Sequence, residues 1–166
     1  MVLKLFTPKD NQERISIEGD EFIAHMDGYV LKSVFQPIKH KETLKTYGFE
    51  ALVRVYKAGV AINPLDFLNA YTSETAITNV GILCYGLHIR NSIKVCLNGE
   101  KLFINAHPKM FSRIANDPYS IAETLKLSEL CGVSKQQLTF EITEFKEGDF
   151  DLFKKGVDQF NRVGVA

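Results

Sequence analysis

The stretch Tyr47-Gly48-Phe49-Glu50-Ala51-Leu52-Val53-Arg54-Val55 sets two ionisable residues inside a segment that otherwise reads as a buried β-strand. Phe49, Ala51, Val53 and Val55 fall on one face at period two, and Glu50, Leu52 and Arg54 share the other. Both charges therefore point the same way. This is either a half-exposed strand with a solvated polar face, since most charges sit in water, or a carboxylate held near a strand end for chemistry.

Upstream, Val34-Phe35-Gln36-Pro37-Ile38 reads as a neighbouring strand, and Pro37, with no N–H to donate, places it at an edge, an end or a bulge. Phe22, Ile23, Met26 and Val30 have the spacing of a short helix leading into it. Residues 1–20 are polar and turn-rich, with only Ile15 and Ile17 alternating, and read as a leader or extended arm before a domain over 21–166. Downstream, after a loop at Tyr56-Lys57-Ala58-Gly59, Asn63 and Pro64 give a helix start as N-cap and first helical residue. Ile77, Val80, Cys84 and Leu87 predict a second helix over 75–94.

Lys101-Leu102-Phe103-Ile104-Asn105-Ala106-His107 is the next strand, with Leu102, Ile104 and Ala106 facing one way and Asn105 the other. Pro118, Ile121, Ala122 and Leu125 mark a helix ending at Cys131-Gly132. Leu138-Thr139-Phe140-Glu141-Ile142-Thr143-Glu144 is a third strand, again with a polar group, Glu141, opposite its apolar face. A helix begins at Asp149, presents Phe150, Phe153, Val157 and Phe160, and stops at Gly164; Gly156 inside it costs about 1 kcal/mol relative to Ala. Val165-Ala166 read as the first residues of another strand. Strands alternating with helices are the pattern of a parallel-sheet α/β architecture.

The 166 residues suit one domain, and 45% hydrophobic with 24% charged residues is ordinary for a globular chain rather than a disordered one. Twenty basic residues balance twenty acidic ones, so neither general nucleic-acid binding nor polybasic membrane attachment is expected. The opening residues lack a signal-peptide core and no run is long enough to span a bilayer, which reads as a cytoplasmic chain. Cys84, Cys96 and Cys131 are odd in number and set in apolar sequence, as reduced core thiols rather than disulfides or a zinc site.

Glu50, Asn105 and Glu141 occupy comparable places in three successive strands, and in parallel α/β folds functional side chains gather at the carboxyl ends of strands. Two carboxylates and a carboxamide oxygen make a hard-oxygen donor set, suited to Mg²⁺ or Mn²⁺ rather than zinc. Metal ions so held can activate water and neutralise charge in phosphodiester hydrolysis, and Arg54, on the Glu50 face, offers a planar fork for a phosphate. A buried polar network that only packs a barrel interior explains the same spacing.

Glu50-Ala51-Leu52-Val53-Arg54 resembles the signature of the EAL domain, the bacterial cyclic di-GMP phosphodiesterase family. The similarity continues through Gln36-Pro37-Ile38, Ile62-Asn63-Pro64 and Phe67, Phe103-Ile104-Asn105, and Thr139-Phe140-Glu141-Ile142-Thr143-Glu144. The resemblance implies a modified TIM (β/α) barrel that linearises cyclic di-GMP to pGpG with Mg²⁺ or Mn²⁺. By that analogy Glu50, Asn105 and Glu141 are metal ligands and catalytic residues, Gln36, Leu52 and Arg54 line the dinucleotide site, and Glu144 steadies a neighbouring loop. Two departures stand out. His107 replaces the small Ser that usually follows the metal Asn, and reads as a loop or surface histidine; Tyr71-Thr72 replace an Ala-Glu pair.

Such a barrel takes about 250 residues, so the chain is expected to be truncated to about its first half. The Asp-Asp-Phe-Gly motif of the family's next strand, and the Lys, Glu and Gln of later strands, have no counterpart in the sequence. Little or no hydrolase activity is therefore expected of the chain alone, and an open half-barrel should self-associate or dimerise to cover its edges and apolar face. Two functions follow: a phosphodiesterase fragment, or a nonenzymatic EAL-type module that binds cyclic di-GMP or a protein partner.

Overall fold

Asp27 and Gly28 both take positive φ, 51° and 78°, the mirror-image turn geometry that suits the right-handed twist of a two-residue β-hairpin. In the computed structural model they join strand β2 (Glu21–Met26) to β3 (Tyr29–Lys39), paired antiparallel from Met26↔Tyr29 to Ala24↔Leu31. The short helix expected from Phe22, Ile23, Met26 and Val30 does not form. Phe22, Ile23, Met26 and Val30 do not by themselves separate the two periodicities, whereas Asp-Gly specifies a hairpin. The structure describes residues 14–95, 97–117, 119–142 and 150–165. Within them Ile15–Glu18 form β1, hydrogen-bonded antiparallel to β2; of the leader or extended arm expected over 1–20, residues 1–13 lie outside the described residues.

β3 runs antiparallel to β4 (Thr46–Lys57) over its whole length, with Gln36 opposite Glu50, Val34 opposite Leu52 and Lys32 opposite Arg54. β2 covers β3 only as far as Leu31. Among the described residues Pro37 thus lies on a stretch paired on one side, beside an irregularity at Ile38/Lys39, as its missing N–H requires. The expected loop at 56–59 is instead the end of β4 and a hairpin: Ala58 and Gly59, at φ 49° and 79°, turn the chain into β5 (Val60–Ile62).

From here the chain crosses over. Asn63 Oδ1 accepts from the Leu65 N–H at 2.9 Å and starts α1 (Pro64–Asn69), as the sequence requires. Ser73 caps α2 (Glu74–Asn91), accepting from the Ala76 N–H, and a 3₁₀ turn over Ser92–Val95 finishes the predicted helical run. β6 (Lys101–Ala106) then pairs parallel to β4, from Gly48↔Lys101 to Ala51↔Ile104. α3 (Pro108–Asn116) and α4 (Tyr119–Leu130) lead to β7 (Leu138–Ile142), parallel to β6. The sequence reading missed α3, although His107 before Pro108 is a capped, proline-led helix start.

The sheet order is β1-β2-β3-β4-β6-β7, with β5 on β4. It is mixed, not the parallel sheet expected. The turns at 27–28 and 58–59 are too short for crossovers and allow only antiparallel pairing. The parallel part begins where α1 and α2 supply the connection.

Leu102, Ile104 and Leu138 point to one side of the sheet and are buried with Ile89 and Phe160, while Leu31, Val55, Leu83 and Leu87 form a second cluster with Phe67. α5 (Phe150–Val163) packs on α3: a Cβ at Gly156 would overlap the Phe111 carbonyl, so glycine sets how closely the two helices meet. Phe160 is buried and Phe153 half-buried, but Phe150, expected on the same face, is 62% exposed at the first helical position. Gly164 (φ 84°) ends α5, and the Val165 N–H closes back on the Phe160 carbonyl. Cys84 and Cys131 are free thiols, as expected, and burial pushes the Cys84 thiol up to about 12; Cys96 lies outside the described residues.

Candidate functional site

The face of the sheet opposite the helix-packed core carries the polar residues. Because strand neighbours in register point the same way, Gln36 (β3), Glu50 (β4), Phe103 and Asn105 (β6), and Thr139 and Glu141 (β7) share it. Glu50 is mid-strand in β4, but the β4–β6 ladder ends at Ala51, so Glu50 is next to last in the parallel pairing. Asn105 is next to last in β6, and Glu141, its register partner, is next to last in β7. The three therefore meet at the carboxyl end of the parallel ladder.

Asn105 Nδ2 donates to Glu50 Oε1 at 2.9 Å. The Glu141 carboxyl is raised above its ordinary range, by partial burial first and by the Glu50 charge second. A divalent cation beside Glu50 and Glu141 would relieve the repulsion that raises the Glu141 carboxyl. Among the described residues no three His, Cys, Asp or Glu side chains gather, so a cation held here would need water or ligand oxygens besides Glu50, Asn105 and Glu141. That fits Mg²⁺ or Mn²⁺, which keep waters and ligand phosphate oxygens alongside one or two carboxylates. A half-turn of the Asn105 carboxamide presents Oδ1 in place of the donor nitrogen.

Leu52 and Arg54 lie farther along β4 on the same face. They border a cleft of about 610 Å³ whose other walls include Leu65 and Leu68 of α1, Tyr71, and Asn105 with His107. Arg54 folds back to donate from Nη1 to the Val53 carbonyl at 3.1 Å, so reaching a phosphate requires a side-chain rotation. Gln36 stands opposite Glu50, and neither of them nor Glu141 borders this cleft, which Asn105 reaches. Glu144 lies outside the described residues.

His107 has a local job. Its Nδ1 accepts from the Lys109 N–H at 3.2 Å, capping α3, and partial burial and the Lys109 charge lower its pKa. It is exposed, as the sequence reading had it, but it also borders the cleft, which only the proximity of Asn105 could have signalled. Tyr71 is held by its hydroxyl, which donates to Asp27 Oδ2 at 2.8 Å, and by edge-on contact with Phe67. His88 reaches the cleft from α2, with Nδ1 2.8 Å from Ser33 Oγ, and burial lowers its pKa to about 4.

No protein-family model and no curated protein sequence matches the chain. Solved structures do. Klebsiella pneumoniae BlrP1 in a manganese and cyclic di-GMP complex is similar at TM-score 0.67 and 20% identity, over 95% of this chain and 39% of that one. The Bacillus subtilis YkuI protein, with an EAL domain and in complex with cyclic di-GMP and calcium, is similar at TM-score 0.61 and 22% identity, over 81% and 34%. An EAL domain protein from Listeria monocytogenes is similar at TM-score 0.55 and 19% identity, over 81% and 52%. The chain spans about a third to a half of the length of these structures. Its mixed seven-stranded sheet with flanking helices is thus the fold of the EAL-domain proteins, over part of their length.

Proposed function

We propose that this chain supplies one wall of a cyclic di-GMP site, with Glu50, Asn105 and Glu141 as the ligands of Mg²⁺ or Mn²⁺, and that residues 21–166 are about the first half of a metal-dependent phosphodiesterase domain whose complete form is a modified TIM barrel. The observation that carries this reading is the convergence of those three side chains at the end of the parallel ladder, with Asn105 hydrogen-bonded to Glu50. Its support from outside is the fold shared with proteins crystallised with cyclic di-GMP and calcium or manganese.

The bound ion would lower the pKa of a water and neutralise charge on the scissile phosphate. The residues of this chain do the rest of the binding. Arg54 turns from the Val53 carbonyl to fork a phosphate, Leu52 and the α1 leucines give the cleft an apolar wall, and Gln36 flanks Glu50 on β3. Glu144 is proposed to steady a neighbouring loop. Among the described residues the two glutamates have no third acid beside them, so the chain alone is proposed to bind rather than turn over, and to act in the cytoplasm. Among the described residues no helix is long and apolar enough to cross a membrane.

Calorimetry of the 166-residue protein with cyclic di-GMP, with and without Mg²⁺, tests the reading. Metal-strengthened binding with little or no hydrolysis is expected. Metal-independent binding would favour the second reading, a nonenzymatic module, to which the departures at Tyr71, Thr72 and His107 point; absence of binding would sink the metal-site reading and leave a module that binds a protein partner. Turnover at the rate of a full-length EAL enzyme would overturn the proposed inactivity of the isolated chain.

A further inference from the structure

Behind the sheet, on the side away from Glu50, lies a separate cavity of about 130 Å³ between α2, α3, α4 and the Phe140 face of β7. Phe111, Phe140 and Phe160 form much of its wall. Their rings already pack edge to face or tilted on one another, Phe111 against Phe140 at 6.0 Å and 90°, Phe111 against Phe160 at 5.7 Å and 73°, Phe140 against Phe160 at 5.1 Å and 53°. Ile82, Met110 and Leu127 add aliphatic and thioether surface. We propose that this cavity is a binding site for a small uncharged aromatic molecule of a single ring.

Three observations fix the ligand class. The first is size: an apolar protein cavity of about 150 Å³ admits benzene or xenon, and this one is of that order. The second is polarity. Two of the hydroxyls on its wall are spent within the protein, Tyr85 Oη donating to the Thr124 carbonyl at 2.7 Å and Thr78 Oγ1 to the Glu74 carbonyl at 2.8 Å. The charged groups that border the cavity, Arg113, Asp117 and Glu123, are all exposed and belong to its mouth. A polar guest would lose water without finding partners inside.

The third is the wall itself. Aromatic rings prefer edge-to-face and offset neighbours, and the three phenylalanines on this wall are such neighbours for a further ring. Met110 is a pliant side of the cavity: its thioether lies against Gly81, where any Cβ would collide with Sδ. Gly81 borders the cleft on the other side, and Ala106 borders both spaces. The proposal does not depend on the cyclic di-GMP reading.

Benzene, with xenon as a second probe, tests it on the whole 166-residue protein. Saturating benzene is expected to raise the wild-type melting temperature by several degrees and to move the Met110 εCH₃ resonance saturably while leaving Met26 in place. Ile82→Phe puts a ring of the chain's own into the space and should abolish the benzene shift. An unmoved Met110 methyl in the wild type, read without any variant, would overturn the proposal. So would an equal benzene shift in folded Ile82→Phe. A xenon-induced shift of Met110 at the same site would support it.

Discussion

Asn105 Nδ2 and Glu50 Oε1 meet at 2.9 Å across adjacent parallel strands. In that pairing the amide acts as a neutral donor to a carboxylate whose other neighbour, Glu141, carries like charge. Asn105→Asp should therefore exchange a hydrogen bond for a third negative group. Without divalent cations the variant is expected to lose about 1 kcal/mol of stability, and Mn²⁺ should raise its melting temperature by more than that of the wild type. A variant as stable as the wild type in chelator would contradict the described contact.

Gly156 separates two opposed effects. Alanine is better than glycine in a helix by about 1 kcal/mol, but here its Cβ would run into the Phe111 carbonyl of α3. Forcing packed helices apart costs roughly 1–3 kcal/mol, so Gly156→Ala should lower the urea midpoint. A raised midpoint would show that α3 and α5 do not meet this closely.

His88 predicts how stability depends on pH. Its folded pKa is lowered by burial to about 4, from an ordinary 6.5, so between those values the unfolded chain binds the extra proton. Stability from the neutral ring is complete above about pH 6.5 and is lost as pH falls through 4, by up to about 3 kcal/mol. His88→Gln should flatten the pH 4–6.5 limb of a denaturation series relative to the wild type. Parallel curves for the two proteins would mean that His88 is hydrated.

The strands that carry Glu50, Asn105 and Glu141 were legible because each has a continuous apolar face, and the polar member on the opposite face stands out against it. α1 was legible from Asn63-Pro64 and the end of α5 from Gly164, where one residue type does one geometric job. What escaped was pairing. Asp27-Gly28 and Ala58-Gly59 turn strands back on themselves, and apolar spacing in short segments cannot tell such a hairpin from a helical turn. α3 escaped because its cap is a histidine, a residue with many other uses. The cleft border formed by Tyr71, His88 and His107 joins residues far apart in sequence, and no local pattern marks it.

Self-association is the outcome expected for the sheet. Beyond Leu31, β3 is paired only on its β4 side among the described residues, and Val34 and Ile142 are both 42% exposed. Multi-angle light scattering across a concentration series should show a mass above 18.8 kDa that falls on dilution. A monomer at every concentration would mean that Lys32, Pro37 and Lys39 suffice to guard the edge.

Calorimetric titration of Mn²⁺ into wild-type protein and Glu50→Ala tests the metal assignment most directly. Removing a carboxylate from the shell should weaken affinity by at least the 10–100-fold typical of losing even a supporting contact, with the circular dichroism spectrum unchanged. Equal Mn²⁺ affinity in the two proteins would contradict the account and return Glu50 to an ordinary charge on a half-exposed strand.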